Sequence, residues 1–189
     1  AAKKSIGGME FLSGIPGSIG GSVKMNAGAY GGDISDILHR IKLLERSGKV
    51  LEMGVSDLRM RYRNSSIPKY SIIVEVELKG YEENQKVILN KIKEINITRS
   101  STQPIRNLTG GSTFKNPPGF KAWELIDQAG CRGLSVGGAK ISEIHPNFII
   151  NEGKAMSSDI ENLGIEVQNR VMDHSGIKLK WEILRLGSK

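Results

Sequence analysis

From Met9 to Gly32 the chain carries almost no charge, with Glu10 and Lys24 the only ionisable side chains besides Tyr30. Within it Gly14, Gly17 and Gly20 recur at every third position, followed by Gly21, Gly28, Gly31 and Gly32. A stretch this poor in charge is a buried or ligand-covered loop rather than a linker. Its successive amides can face one concavity and bind an anion such as a diphosphate. Neither common phosphate signature is present. A Walker loop needs Gly-Lys-Ser/Thr at its end, and a dinucleotide fingerprint needs G-x-G-x-x-G opening a helix. A glycine-rich turn packed inside a sheet protein remains open as the other reading.

A second cluster, Gly110-Gly111-Ser112-Thr113-Phe114-Lys115-Asn116-Pro117, places a hydroxyl, an ammonium and an amide within five residues. Two glycines ahead of it let the backbone approach a ligand closely. The same letters also describe a Gly/Ser/Pro turn with a solvated lysine.

The 189 residues, 38% hydrophobic and 25% charged, suit one large or two small globular domains. No apolar run approaches the roughly 20 residues of a membrane helix, and no leader is visible, so a cytoplasmic protein is expected. Cys131 is the only cysteine, which excludes an internal disulfide and a cysteine-based zinc site. His39, His145 and His174 are scattered, and no metal is expected. The net charge of +7 is spread among acids, as in Lys91-Ile92-Lys93-Glu94, and aromatics are only 5%. That pattern argues against nucleic acid and suits small phosphate-bearing ligands.

Residues 38 to 53 read as two strands around an Arg46-Ser47-Gly48-Lys49 turn, and Ser71 to Leu78 as a further strand. Ile88, Ile92 and Ile95 fall at helical spacing in 83 to 97. Lys121 to Ala129 is expected to be a short helix ended by Gly130. Residues 159 to 174 form the strongest helix, with Ser158 and Glu161 as a capping box and Ile160, Leu163, Gly164, Val167 and Val171 on one face. Residues 177 to 184 read as a final strand, Leu179, Trp181 and Ile183 on one side.

In order and spacing, several motifs resemble the UDP-N-acetylenolpyruvoylglucosamine reductases (MurB). They are Gly14-Ile15-Pro16-Gly17-Ser18-Ile19-Gly20-Gly21, Met25-Asn26-Ala27-Gly28-Ala29-Tyr30-Gly31, Tyr62-Arg63-Asn64-Ser65 and Gly111-Ser112-Thr113-Phe114-Lys115-Asn116-Pro117. Gln103-Pro104, Leu125-Ile126-Asp127-Gln128-Ala129-Gly130, Gly137-Gly138-Ala139-Lys140-Ile141-Ser142 and the ending Leu179 to Arg185 extend the likeness over nearly the whole chain.

The resemblance implies an FAD-dependent oxidoreductase of peptidoglycan precursor synthesis. Such an enzyme takes a hydride from NADPH and delivers it to the enolpyruvyl ether of a UDP-sugar, giving UDP-N-acetylmuramate. Carried over residue by residue, Ser112 matches the serine that protonates the carbon next to the substrate carboxylate. Arg63 and Glu182 match the pair that polarises the enolpyruvyl group. Ile15, Pro16, Gly17, Gly20, Gly21, Asn26, Ala27 and Gly28 fall in the FAD-binding motifs, and Tyr62, Lys115 and Asn116 beside the UDP-sugar. The chemistry suits these residue types: a guanidinium offers two parallel donors to a carboxylate-derived enolate. A carboxylic acid such as Glu182 helps there only if protonated, and serine needs its position to act as an acid. Without the resemblance, Arg59, Arg61 and Arg63 read as solvated surface charges and Glu182 as a surface strand residue.

The expected fold is α+β: the C-terminal portion of a vanillyl-alcohol-oxidase-type FAD-binding domain in residues 1–82, then a MurB C-terminal, UDP-sugar-binding domain in 83–189. Family members carry a further glycine-rich segment ahead of the first loop. The chain is therefore expected to be a fragment or a truncated form, inactive and weak in FAD binding by itself. The stretch from Lys79 to Thr98 has no room for the extra tyrosine loop of one subgroup. A noncatalytic UDP-sugar- or nucleotide-binding module is the alternative. The oligomeric state and the choice between NADPH and NADH are not legible.

Overall fold

The computed structural model describes residues 1–187, in two compact units that divide between Thr98 and Arg99. In the first, the elements are β1 (Ile6–Gly7), α1 (Ile19–Lys24), β2 (Gly28–Ala29), β3 (Gly32–Asp33), α2 (Ile34–Ile37), β4 (Leu38–Leu44), β5 (Val50–Gly54), β6 (Ile72–Leu78), β7 (Tyr81–Glu82) and α3 (Gln85–Thr102). Its centre is an antiparallel sheet in the order β5-β4-β6. Alternation along β4 sends Ile41 and Leu43 inward, where they meet Val23, Ile34 and Leu58 in the core. Arg40 and Lys42 point outward. Arg40 pairs with Glu52 and Glu77 on the two flanking strands, and Lys42 reaches Glu75 at 2.9 Å. The charged residues thus stand in cross-strand register on the solvent face.

The turn expected at Arg46–Lys49 closes the β4–β5 hairpin, with Gly48 donating from its amide to the Glu45 carbonyl at 3.0 Å. The charge-poor segment is more ordered than a loop, since it holds α1 and the β2–β3 hairpin. The helix α3 runs on to Thr102, five residues past the expected end. Ile88 and Ile95 are buried along it. Lys91 lies 3.8 Å from the buried Glu10, and Ser13 donates to the Asn96 side-chain oxygen. The compact division falls after Thr98, inside α3, where the sequence pattern places it near residue 82.

The second unit contains β8 (Leu108–Ser112), β9 (Phe114–Lys115), α4 (Ala122–Gln128), β10 (Ser135–Val136), β11 (Ala139–Ile141), β12 (Phe148–Asn151), α5 (Ser157–Ser175) and β13 (Lys180–Trp181). An antiparallel sheet runs β10-β11-β12-β8, and β9 pairs separately with β13. The core gathers Phe114, Leu125, Ile126, Ala139, Ile141, Ile149, Leu163, Val167, Val171 and Leu179. Cys131 is buried among them, and that burial pushes its thiol pKa up, as expected of a cysteine acting as a small hydrophobe.

Two local expectations are corrected. The helix α5 is capped at Met156, whose amide donates to the Asp159 carboxylate at 3.0 Å, so Ser158 and Glu161 lie inside the helix and form no capping box. Asp159 also accepts from the Gly138 amide at 3.2 Å, and this bond to the β10–β11 turn favours the earlier start. The final strand shrinks to Lys180–Trp181, because its partner β9 is itself two residues long. Leu179 remains buried and Lys180 exposed, so the expected alternation survives there.

Candidate active site

In the first unit, the Ser18 hydroxyl accepts from the Gly21 amide at 3.1 Å and starts α1. Just before it, Gly17 has φ of 124°, and a Cβ there would meet nothing within 4 Å. Glycine is needed at 17 for the backbone conformation, and the space beside it is open. Pro16 and Gly17 are exposed, and Ile15 and Gly20 half-buried. Further on, Asn26 is buried with φ of 46°. Its side chain donates to the Arg61 carbonyl at 3.2 Å and accepts from the Ser35 amide at 3.0 Å. Ala27 is buried, and a Cβ on Gly28 would lie 2.6 Å from that of Asp33 across the β2–β3 pair.

Residues 61 to 68 tether this glycine segment. Arg61 and Asn64 exchange backbone hydrogen bonds at 3.0 Å, a tight turn that holds Arg63 at φ of 51°. The Arg63 guanidinium donates to the Gly28 carbonyl at 2.9 Å and to that of Asn26 at 3.4 Å, and lies 5.0 Å from the Tyr62 ring centre. Ser65 donates to the Lys24 carbonyl at 2.6 Å. Lys24 in turn donates to the Ile67 carbonyl, and its partial burial lowers its amine pKa. Arg63 is therefore a half-buried strut of the glycine segment, and Tyr62 is exposed beside it.

In the second unit, Ser112 ends β8 and is half-buried. Thr113, buried, is the pivot at which the chain leaves the β8–β12 pair for the β9–β13 pair. Its carbonyl accepts from the Glu182 amide at 2.8 Å. Ser112 and Glu182 thus sit on backbones joined one residue away from the serine. The next side chains fix the pair further. Phe114 and Trp181 are register partners with ring centres 4.9 Å apart. Trp181 lies so close to α5 that a Cβ on Gly164 would be 2.0 Å from its ring. Lys115 is half-buried in β9, and the exposed Asn116 accepts from the Ala122 amide at 2.9 Å, capping α4.

Two residues escape the sequence reading. Asn147 is 4% exposed, and its side chain bonds both polar atoms of Phe114: the amide donates to its oxygen at 2.9 Å and the carbonyl accepts from its nitrogen at 2.8 Å. Its own carbonyl accepts from the Thr113 amide at 2.7 Å. His145 packs against Phe148 with centres 4.8 Å apart and accepts through Nδ1 from the Asn147 amide at 3.3 Å. Burial lowers its pKa. The available signal was a lone amide ahead of the apolar run Phe148-Ile149-Ile150.

The two units carry different family signatures. Residues 1–54 match the FAD binding domain family, and residues 103–186 match the C-terminal domain of UDP-N-acetylenolpyruvoylglucosamine reductase. The fold is therefore part of a flavin-binding domain followed by a reductase C-terminal domain. The reductase of Gluconobacter oxydans (strain 621H) is 47% identical over 189 residues, 100% of this chain and 62% of the relative. That of Methylorubrum extorquens (strain PA1) is 49% identical over 187 residues, 99% of this chain and 60% of the relative. The crystal structure of the reductase (MurB) from Thermus caldophilus superposes with a TM-score of 0.84 at 37% identity, covering 96% of this chain and 65% of that one. Over its whole length the chain is similar to the UDP-N-acetylenolpyruvoylglucosamine reductases (MurB), and it spans about three fifths of the length of the curated relatives it matches. No described helix is long and apolar enough to cross a membrane.

Proposed function

We propose that this chain supplies the substrate-protonating half and part of the flavin cradle of an FAD-dependent reductase that uses NADPH to reduce an enolpyruvyl UDP-sugar to UDP-N-acetylmuramate. The observation that carries this reading is the hydrogen bond from the Glu182 amide to the Thr113 carbonyl, which holds the Ser112 and Glu182 backbones in one register. The relatives' reductase names support it over a noncatalytic UDP-sugar- or nucleotide-binding module. Residues up to about 82 are assigned to the flavin, apart from Tyr62 and Arg63, and those after it to the UDP-sugar.

The residues present fit a flavin diphosphate. The segment Ile15 to Gly21 is free of charge and has open space beside Gly17, and the first-turn amides of α1 at Ile19 and Gly20 are donors without acceptors inside the helix. Ile15, Pro16, Gly17, Gly20 and Gly21 are assigned to that contact, with Asn26, Ala27 and Gly28 shaping the loop behind it. When bound, FAD supplies hydride transfer between NADPH and the alkene.

The chain's own residues do the remaining work. Arg63 offers its guanidinium to the oxygens of the enolpyruvyl carboxylate, where negative charge grows as the alkene is reduced. Its bonds to the Gly28 and Asn26 carbonyls fix it relative to the glycine segment. Glu182 is assigned to polarising the enolpyruvyl group. Ser112 gives its hydroxyl proton to the carbon beside the carboxylate and regains one from solvent. Lys115, Asn116 and Tyr62 hold the UDP-sugar.

The test is Ser112→Ala in the flavin-loaded protein, followed by rapid mixing. Flavin reduction by NADPH is expected to stay near its original rate while reoxidation by the enolpyruvyl substrate slows by about 100-fold or more. Equal slowing of both half-reactions removes Ser112 from the protonation step.

A further inference from the structure

We infer that Asn147 is the positioning residue that sets where the Ser112 hydroxyl meets the substrate carbon, an inference that rests on the Ser112 assignment above. Ser112 is the last residue of β8, and the chain changes strand partner immediately after it, so strand pairing alone does not hold Thr113. Asn147 closes that gap. Its backbone carbonyl takes the Thr113 amide, and its side-chain amide pairs with both the N–H and the C=O of Phe114. A primary amide is the side chain of this size that presents one donor and one acceptor side by side, as a neighbouring strand does. With Asn147 4% exposed, water does not substitute for these bonds.

The link continues to the other partner of the reaction. The Thr113 carbonyl accepts from Glu182, and Phe114 packs on Trp181, the residue before it. Loss of the Asn147 pairing therefore frees Ser112 relative to Glu182 without removing either group. Asn147 is itself held, through its amide, by the Nδ1 of His145.

The experiment is a double-mutant cycle in the flavin-loaded protein, with Asn147→Ser, Asn147→Asp, Ser112→Ala and Ser112→Ala/Asn147→Ser. Asn147→Ser is expected to slow flavin reoxidation by about 10- to 100-fold, the effect of displacing a reacting group by about 1 Å, and to leave reduction by NADPH unchanged. In the Ser112→Ala background the same change should add almost nothing, because the group it positions is gone. The configuration of the new carbon centre gives a second readout: a displaced serine lets solvent protonate either face, so the product becomes a mixture of epimers at the carbon beside the carboxylate. Asn147→Asp should regain stereochemical fidelity as pH falls, since only the protonated carboxyl both donates to and accepts from Phe114.

Additive effects in the cycle, or a single epimer from Asn147→Ser, overturn the positioning role. A Ser112→Ala protein that reoxidises at the original rate overturns the Ser112 assignment instead. Should Asn147→Ser fail to fold, Asn147→Asp carries the same decision, and a single product epimer at every pH overturns the inference.

Discussion

The two units anchor their proposed reactive groups in opposite ways. In the first, the anchors are themselves proposed site residues: Asn26 and Arg63 each bond to backbone of the neighbouring segment, and both adopt left-handed conformations. In the second, Ser112 and Glu182 are held by residues assigned no contact with the ligand, namely Thr113, Phe114, Asn147 and Trp181. Chemistry and support are thus fused in the glycine-rich unit and separable in the other. A substitution at Arg63 should change both shape and reaction, whereas in the second unit the reacting groups can be altered without touching their supports.

Arg63→Lys gives the largest effect by which this contrast can be broken. An ammonium lacks the planar fork, so the bonds to Gly28 and Asn26 and the alignment on the substrate carboxylate cannot all be kept. Turnover is expected to fall by about 100-fold or more, and hydrogen exchange at the amides of residues 26 to 29 to rise with it. A lysine variant with lost turnover but unchanged exchange would separate chemistry from support in the first unit as well. Full activity would remove Arg63 from the site.

The same contrast explains what the sequence made legible. The β4–β5 hairpin, β6 and the core face of α5 follow from local alternation or helical spacing, and they stand where the pattern puts them. The elements that misled depend on distant partners. The start of α5 is fixed by Asp159 bonding across to Gly138, and β13 is cut short by the length of β9. Asn147 was missed because its function lies in pairing with Phe114, 33 residues away, and a single buried amide leaves no periodic trace. Motif likeness singled out Arg63 and Ser112 but carried no hint that one is a strut and the other is held.

Gly164→Ala sharpens the comparison from the second unit. The added Cβ would fall 2.0 Å from the Trp181 ring, so the ring must shift off α5, at a cost of about 1–3 kcal/mol in stability. Thermal unfolding should show a lowered midpoint, and the tryptophan emission should move to the red as Trp181 gains water. Because Trp181 also packs on Phe114, flavin reoxidation should slow while reduction by NADPH does not. An unchanged midpoint with unchanged emission would mean that Trp181 does not rest on α5.

The smallest effect expected is a pH dependence of stability from His145. Burial and the nearby Arg132 charge lower its pKa in the folded protein, whereas in the unfolded chain it lies near the ordinary value of about 6.5. Above that value both states hold a neutral ring and the residue contributes no slope. As pH falls below it, the unfolded chain takes up a proton that the folded one refuses, so stability declines until the lower folded pKa is reached. The slope from one such group is at most about 1.4 kcal/mol per pH unit. Denaturant unfolding of the wild type and of His145→Gln, compared from pH 7 to pH 5, isolates it, since the other titrating groups are common to both. The wild type should lose more stability on acidification than the variant. Parallel curves would show that the His145 ring is protonated as easily in the folded protein as in the unfolded chain, and that its packing against Phe148 does not exclude the charge.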